Sequence, residues 1–191
     1  MKKITLNIIF AILPAILLFG IALADGKKQP EINIQANYNV VKYENKDIRI
    51  STLESFFEKY NSPLKNHAKT FVETADLYNM DYKLLPAISC MESTCAKKII
   101  PNSYNPFGWG IYGNNYIAFD SYDHAIKTVA DGIFKGYISK GLDTVEKMAP
   151  VYTPPNYNHW MSGVNYFIYD IKEFERIQEI EELKSKVLHY L

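Results

Sequence analysis

An apolar segment of helical pattern, about residues 82–93, runs directly into a long region without helical periodicity, residues 94–121. The pattern predicts a buried helix, and Glu92 stands at its end. The region that follows is rich in turn residues and aromatic side chains, including Asn105-Pro106 and Gly108-Trp109-Gly110. A loop of this length within a compact domain is usually functional. The sequence therefore predicts a helical domain in which one acid faces an aromatic, glycine-rich loop.

Apolar residues recur at helical spacing along most of the remaining chain, which indicates an all-α fold. The folded domain is predicted to cover residues 51–191, because Ser51 is followed three residues later by Glu54, the pattern of a capping box. Further helices are expected at about residues 64–79 and at the apolar repeats that follow Ser121, Thr144, Trp160 and Phe174. These stretches supply about 140 residues, enough for one hydrophobic core.

The first 24 residues have the composition of an export signal. Two lysines come first, residues 4–24 carry no charge, and Ala22-Leu23-Ala24 has the small-x-small pattern of a signal-peptidase site. The apolar run also approaches the ~20 residues that span a bilayer, so an uncleaved membrane anchor through residues 4–24 is the alternative. Both readings predict an exported domain, with residues 25–50 as a linker.

Cys90 and Cys95 are the two cysteines of the chain. An even count in an exported protein favours a disulfide, and two free thiols are the alternative. A continuous helix holds positions five apart too far away for a bridge, which needs Cα atoms within about 7 Å. A bridge therefore requires the helix to end near Ser93. Because the closed loop is small, the bridge is expected mainly to fix the local geometry beside Glu92.

Charge and histidine spacing argue against several classes of partner. Without Lys2 and Lys3 the chain keeps 19 basic and 21 acidic residues, and this balance gives no argument for binding nucleic acid. The histidines are scattered and show no paired spacing of metal ligands, at His67, His124, His159 and His189. We expect a monomer that needs neither a metal nor another cofactor.

Glu92 has the setting of a proton donor in the cleavage of a glycosidic bond. Such a donor must stay protonated near neutral pH, and apolar surroundings and the negative end of a helix both raise the pKa of a carboxyl group. Tyr104, Trp109 and Tyr112 offer flat rings with polar tips, which suit the faces and hydroxyls of sugars. No second carboxylate is a convincing partner for Glu92, because Asp123 is better explained as a residue at a helix N-terminus.

Four segments, in order along the chain, carry a resemblance to a known family. They are Leu84-Leu85-Pro86-Ala87-Ile88 leading into Glu92-Ser93, Asn105-Pro106-Phe107-Gly108, Phe119-Asp120-Ser121 with Ala125-Ile126, and Tyr152-Thr153-Pro154 with Trp160 and Val164. In these segments, within about residues 51–172, the chain resembles the lysozyme-like superfamily, in particular bacterial glucosaminidase and lytic transglycosylase domains that act on peptidoglycan. It departs from the family at Thr94-Cys95, where glycine is common, and in lacking the Gly-Leu-Met-Gln motif of soluble lytic transglycosylases.

The resemblance implies a lysozyme-like helical domain with a long aromatic loop that lines a cleft for peptidoglycan glycan strands. Glu92 would protonate the oxygen of a β-1,4 bond between N-acetylated amino sugars and then act as a base. Tyr152 would hydrogen-bond near the reacting centre, and Ser93 would orient Glu92. The substrate would be bound by Tyr104, Asn105, Phe107, Gly108, Trp109 and Tyr112. Attack by water gives hydrolysis and attack by the substrate's 6-hydroxyl gives lytic transglycosylation, which a single acid suits.

Two other classes of function are consistent with the same sequence. One is a catalytically inactive module that binds cell-wall glycan through the aromatic cleft, although the retained Glu92 argues against it. The other is a membrane-tethered helical domain that binds a partner protein through the charged final helix, about residues 173–191. The apolar stripe of that helix is explained more simply by packing on its own domain, and we expect this packing.

Overall fold

The computed structural model describes residues 47–189. The predictions for the leader, residues 1–24, and for the linker as far as residue 46 lie outside this range. Within it the chain forms six α-helices and three 3-10 helices, with one isolated β-bridge between Tyr112 and Asn115. The prediction of an all-α fold is confirmed. None of the described helices combines the length and the apolar character needed to cross a membrane.

The helices follow one another in a simple order along the chain. The α-helices are α1 (Ile48–Lys59), α2 (Ala68–Leu77), α3 (Leu84–Ser93), α4 (Tyr122–Gly136), α5 (Val145–Tyr152) and α6 (Tyr157–His189). The 3-10 helices are Pro63–His67, Ile138–Lys140 and Pro154–Asn156. Helix α6 packs along α1, α3 and α5, and α2 packs against α1 and α4.

The N-terminal cap of α1 lies four residues before the predicted cap at Ser51. Asp47 caps the helix by accepting the backbone N–H of Arg49 at 3.0 Å, and the Arg49 guanidinium also pairs with Asp76 of α2. Ser51, which matches the capping-box pattern, instead donates its hydroxyl to the carbonyl of Ile48. The prediction of a cap at Ser51 is wrong because an aspartate upstream is an equally good cap and also has a cationic partner.

Helix α3 is buried over most of its length and packs on α6. Every residue from Leu84 to Cys90 is buried, and so is Ser93. A helix that is buried on all sides belongs to the core of a domain. Pro86 is tolerated because it lies in the first turn, where a backbone N–H has no partner within the helix. Helix α3 therefore delivers its last turn, with Glu92, from inside the core to the surface of a cleft.

The predicted end of α3 at Ser93 is confirmed, and Cys90 and Cys95 lie at the distance of the predicted disulfide. The Cα atoms of the two cysteines are 3.7 Å apart, and both residues are buried. The chain thus doubles back on the end of the helix directly after the candidate acid.

The turn after α3 adopts a backbone conformation that glycine favours, without using glycine. Thr94, Cys95 and Ala96 have φ angles of 55°, 56° and 64°. This left-handed region costs an L-residue about 1 kcal/mol or more. The bridge opposes that cost, and so do two hydrogen bonds. The Ser62 hydroxyl donates to the carbonyl of Cys95 at 2.8 Å, and the N–H of Ala96 donates to Ser93 Oγ at 2.9 Å.

The last two predicted helices form one continuous helix, α6. Its first half packs on the domain through Val164 and Ile171, whereas every residue from 179 to 188 is exposed. The exposed residues include Ile180 (39 %), Leu183 (61 %) and Val187 (60 %). The expected packing of this apolar stripe on its own domain holds at Phe174 and is wrong from Ile177 onward. Apolar residues spaced three apart drift by about 60° per step around an α-helix, and the stripe leaves the domain-facing side.

We expect the double substitution Cys90→Ala/Cys95→Ala to lower the free energy of unfolding by about 2 kcal/mol, the value for closing a short loop. Adding Thr94→Gly should recover about 1 kcal/mol, because glycine adopts a positive φ without steric cost. Denaturant midpoints measure both effects. Thr94 is exposed, so Thr94→Ala in the same background is the matched control and should recover nothing. Equal recovery by both variants would contradict the role given to the turn.

We expect a chain that ends at Gln178 to keep its free energy of unfolding within about 0.5 kcal/mol, because the residues removed are exposed. A chain that ends at Glu173 also loses Phe174, whose ring packs against Phe56, and should lose about 2 kcal/mol or more. Thermal and denaturant unfolding measure both changes. A large loss in the first truncation would mean that the end of α6 contributes to the core after all.

Candidate active site

Glu92 lies in the last turn of α3 and opens onto a cleft of about 640 Å³. Among the described residues that line the cleft, Glu92 is the one aspartate or glutamate, and neither lysine nor arginine is present. The lining is otherwise aromatic, apolar or neutral and polar. It consists of Met91, Glu92, Phe107, Gly108, Trp109, Gly110, Ile111, Tyr112, Ile117, Tyr137, Tyr152, Thr153, Asn156, His159 and Trp160.

The indole of Trp160 holds the carboxyl group of Glu92. Its Nε1–H donates a hydrogen bond to Oε1 at 2.7 Å, a length typical of a bond to a charged acceptor. The Trp160 side chain is buried, and its ring stacks on that of Tyr152 with centroids 4.5 Å apart. Trp160 and Glu92 meet because α6 packs along α3. The orientation of the acid is therefore set by helix packing.

Burial raises the pKa of Glu92 above its ordinary value. The side chain is open on the cleft side, but protein groups desolvate the carboxylate from the other sides. The hydrogen bond from Trp160 lowers the pKa, and desolvation outweighs it. Burial, together with the charge of Glu92, also raises the pKa of Tyr152, so its hydroxyl keeps its proton and stays a hydrogen-bond donor.

Two glycines shape the loop beside the acid, and one of them, Gly108, lies next to Glu92. Gly108 and Gly110 have φ angles of +60° and +67°, which glycine adopts without strain. A Cβ atom at position 108 would lie 3.9 Å from Oε2 of Glu92, and one at position 110 would collide with Ile117. The loop therefore presents main-chain atoms, rather than side chains, beside the carboxyl group.

Two helical glycines allow close contacts on the walls of the cleft. A Cβ at Gly132 of α4 would collide with the indole of Trp109, and a Cβ at Gly163 of α6 would collide with Met91. Glycine inside a helix costs roughly 0.5–1 kcal/mol relative to alanine. The close contacts explain why glycine is found at these positions in spite of that cost. They place Trp109 in the cleft wall and bring α6 close to Met91, the residue before Glu92.

The structure corrects the placement of Tyr104 and Asn105, which the sequence analysis put in the cleft. Tyr104 lies outside the lining and packs edge-on against Tyr122. Asn105 is 4 % exposed and uses both ends of its amide within the loop. Its Nδ2 donates to the carbonyls of Trp109 and Ile117, and its Oδ1 accepts the N–H of Trp109. Asn105 therefore stabilises the conformation of the loop, whose other residues line the cleft.

Ser93 does not orient Glu92, as the resemblance implied, because no hydrogen bond joins the two side chains among the described residues. The Ser93 hydroxyl lies 2.8 Å from the carbonyl of Ser89 and 2.7 Å from that of Pro106, and it accepts the N–H of Ala96. It ties the end of α3 to Pro106, which precedes the loop that carries Gly108 and Gly110 and is called the glycine loop below. Trp160 takes the orienting position instead.

The other predicted site residues come together around Glu92. Phe107 is buried beneath the cleft, Gly108 and Trp109 form one wall, and Tyr152 stands next to Trp160. Tyr112 is 78 % exposed and lies on a tight turn whose ends are joined by two backbone hydrogen bonds to Asn115. The predicted loop therefore lines the cleft over the segment from Phe107 to Tyr112.

Sequence reasoning missed several residues of the cleft. Trp160 carried part of the resemblance, but no pattern linked it to Glu92, which lies on another helix. Tyr137, Asn156 and His159 also line the cleft. They lie at or near the ends of helices, where a single sequence gives no sign of which side chains converge. Only the packing of α5 and α6 beside α3 brings them together.

Comparison with known proteins gives no assignment. No protein-family model matches the chain, and no curated protein matches it. Within residues 47–189 no group of three or more His, Cys, Asp or Glu side chains is placed to hold a metal ion. Over residues 47–189 the fold and the site define an all-α domain, with one carboxyl group in the described lining of an aromatic cleft.

We expect Glu92→Gln to become more stable relative to the wild type as pH rises. The raised pKa means that the folded state holds the proton more tightly than the unfolded chain. The wild type therefore loses stability as pH rises from about 4.3, the usual glutamate pKa, through the raised value, and glutamine does not. Melting temperatures between pH 4 and pH 8 measure the difference. Glu73→Gln, an exposed position on α2, controls for loss of a carboxylate outside the cleft. A change in the opposite direction, with Glu92→Gln becoming less stable relative to the wild type as pH rises, would contradict a raised pKa of Glu92.

Proposed function

We propose that this chain is a lysozyme-like glycosidase that cleaves the β-1,4 bond between N-acetylated amino sugars of peptidoglycan, with Glu92 as general acid and base. The proposal is carried by one observation. A carboxyl group with a raised pKa is held by an indole N–H at the wall of an open, aromatic cleft. The buried α3 that presents this acid is in keeping with the resemblance described above.

The setting of Glu92 supports the role of proton donor. A general acid works best when its pKa lies near the working pH, and desolvation moves the pKa of Glu92 in that direction. The carboxyl group reaches the open side of the cleft, where the oxygen of a bound glycosidic bond would approach it. Trp160 restricts its rotation and so limits the loss of orientation between turnovers.

The lining of the cleft supports a sugar chain as the substrate. Trp109, Tyr112 and Tyr137 offer ring faces to the C–H faces of sugars and polar tips to their hydroxyls. The glycine loop adds backbone donors and acceptors beside the acid. The lining described here has no lysine or arginine to pair with phosphate or carboxylate groups. Recognition therefore favours uncharged parts of a glycan.

No second carboxylate stands opposite Glu92 in the described lining of the cleft, so Glu92 itself acts as the base in the second half of the reaction. Two-carboxylate glycosidases place the groups about 5–9.5 Å apart across the bond. Here Asp120 and Asp123 do not line the cleft, and Asp123 is engaged by the side chains of Thr70 and His67. The substrate's acetamido group would stabilise the oxocarbenium-like centre, and the incoming hydroxyl would come from water or from the sugar's own 6-position. The single acid favours the second route.

We expect the chain from residue 25 onward to release soluble fragments from purified peptidoglycan, and Glu92→Gln to reduce this activity by at least about 100-fold, because a positioned general acid contributes about that much. Mass spectrometry of the digest identifies the ends. Anhydro-muramyl ends indicate lytic transglycosylation, and new reducing ends indicate hydrolysis and name the bond that is cut.

The matched control for this digest is Glu73→Gln, which makes the same chemical change on the exposed face of α2. It should leave the products and their rate unchanged. A folded Glu92→Gln protein with full activity would falsify the assignment of the acid. Binding of glycan without products from the wild type would favour a wall-binding module on the same fold.

A further inference from the structure

The two oxygens of the Glu92 carboxyl group have different surroundings. Oε1 accepts the indole N–H of Trp160 at 2.7 Å. Oε2 lies on the side of the glycine loop, 3.9 Å from the place where a Cβ of Gly108 would stand. One oxygen therefore faces a buried aromatic donor, and the other faces the side of the loop at Gly108.

An indole nitrogen donates a hydrogen bond and cannot accept one. A neutral carboxyl group has one carbonyl oxygen and one hydroxyl oxygen, of which the carbonyl oxygen is the better acceptor. The contact with Trp160 thus makes Oε1 the carbonyl oxygen and leaves the proton on Oε2. Residue 108 contributes no side chain next to Oε2, because it is glycine.

We propose that Trp160 is a positioning residue that gives the two carboxyl oxygens of Glu92 different roles. Oε1 accepts the indole N–H, and Oε2 delivers the proton into the space beside Gly108. This inference rests on the proposed glycosidase function and deepens it. The scissile glycosidic oxygen binds between Oε2 and the Gly108 backbone, and not on the side of α6.

The reaction step balances with these assignments. The proton moves from Oε2 to the glycosidic oxygen as the bond from that oxygen to the anomeric carbon breaks, and the bonding electrons stay on the leaving oxygen. Glu92 becomes a carboxylate, which the hydrogen bond from Trp160 stabilises. The incoming hydroxyl, from water or from the sugar, then returns a proton to Oε2 as its oxygen bonds to the anomeric carbon.

Other titratable groups face the same cleft and must be separated from Glu92 in any test. They are Tyr112 of the loop, Tyr137 after α4, Tyr152 at the end of α5 and His159 of α6. His159 is the histidine among these residues, and the test below removes it separately from Glu92.

The first test needs no substrate. The chain has two tryptophans, so Trp109→Phe leaves Trp160 as the one indole emitter. Its fluorescence should show a pH transition with a midpoint above the usual glutamate value of about 4.3, because ionisation of Glu92 changes the charge that the indole N–H faces. Adding Glu92→Gln should abolish the transition, and adding His159→Asn should leave it in place. A transition that survives Glu92→Gln would overturn the pairing.

The second test uses glycan cleavage. Trp160→Phe keeps an aromatic ring and removes the N–H, and we expect kcat to fall about 10- to 100-fold with a smaller change in KM, the effect of losing one hydrogen bond to a charged group. The alkaline limb of the pH profile should move to higher pH, because the bond lowers the pKa of Glu92. A purely structural role would lower the active fraction without moving that limb.

The control for Trp160→Phe is Tyr169→Phe, an exposed position on the same helix, which should match the wild type in rate and in pH profile. If folded Trp160→Phe has the same alkaline limb in its pH profile as the wild type, the inference is overturned. Absence of cleavage by the wild type would instead overturn the proposed function, and the fluorescence titration would still decide whether Trp160 and Glu92 act as a pair.

Discussion

The turn after α3 is the constraint on which the geometry of the site depends. Three residues in the left-handed conformation reverse the chain directly after Glu92, and the Cys90–Cys95 bridge ties this reversal to the helix. Because the chain leaves α3 at this point, no further helical turn covers the acid. The same reversal directs the chain toward Pro106, whose carbonyl lies 2.7 Å from the Ser93 hydroxyl. These contacts thereby fix the position of Glu92 relative to the glycine loop.

The elements of the fold that follow from local patterns were predictable, and those that depend on distant packing were not. Helix α4 has both a local cap at Ser121 and a regular apolar face, and its start is as predicted. The end of α3 followed from the cysteine spacing, because a bridge five residues apart is incompatible with a continuing helix. The continuity of α6 was not visible, since a change in the direction of an apolar stripe looks the same in sequence as a break between two helices.

The candidate site shows the same division. Glu92 and the segment from Phe107 to Tyr112 were predictable because an acid at a helix end and a glycine-rich aromatic loop are both local signals. Asn105 was expected to bind the substrate and Ser93 to orient Glu92, but both side chains form hydrogen bonds with the backbone. A buried loop has carbonyl and N–H groups that need partners, and short polar side chains are the residues that supply them. In a single sequence this structural demand cannot be told apart from a polar residue that awaits a ligand.

The close packing of α3 and α6 determines how the acid is tuned. Many sites raise the pKa of a carboxyl group by placing a second negative charge beside it. Here the described lining of the cleft offers no such charge, and burial has that effect instead. Gly163 lets α6 approach Met91, and the same approach brings Trp160 onto Glu92. Desolvation and the indole N–H oppose each other at one carboxyl group, so the pKa of the acid depends on how tightly the two helices pack. A small shift of α6 would change both effects at once.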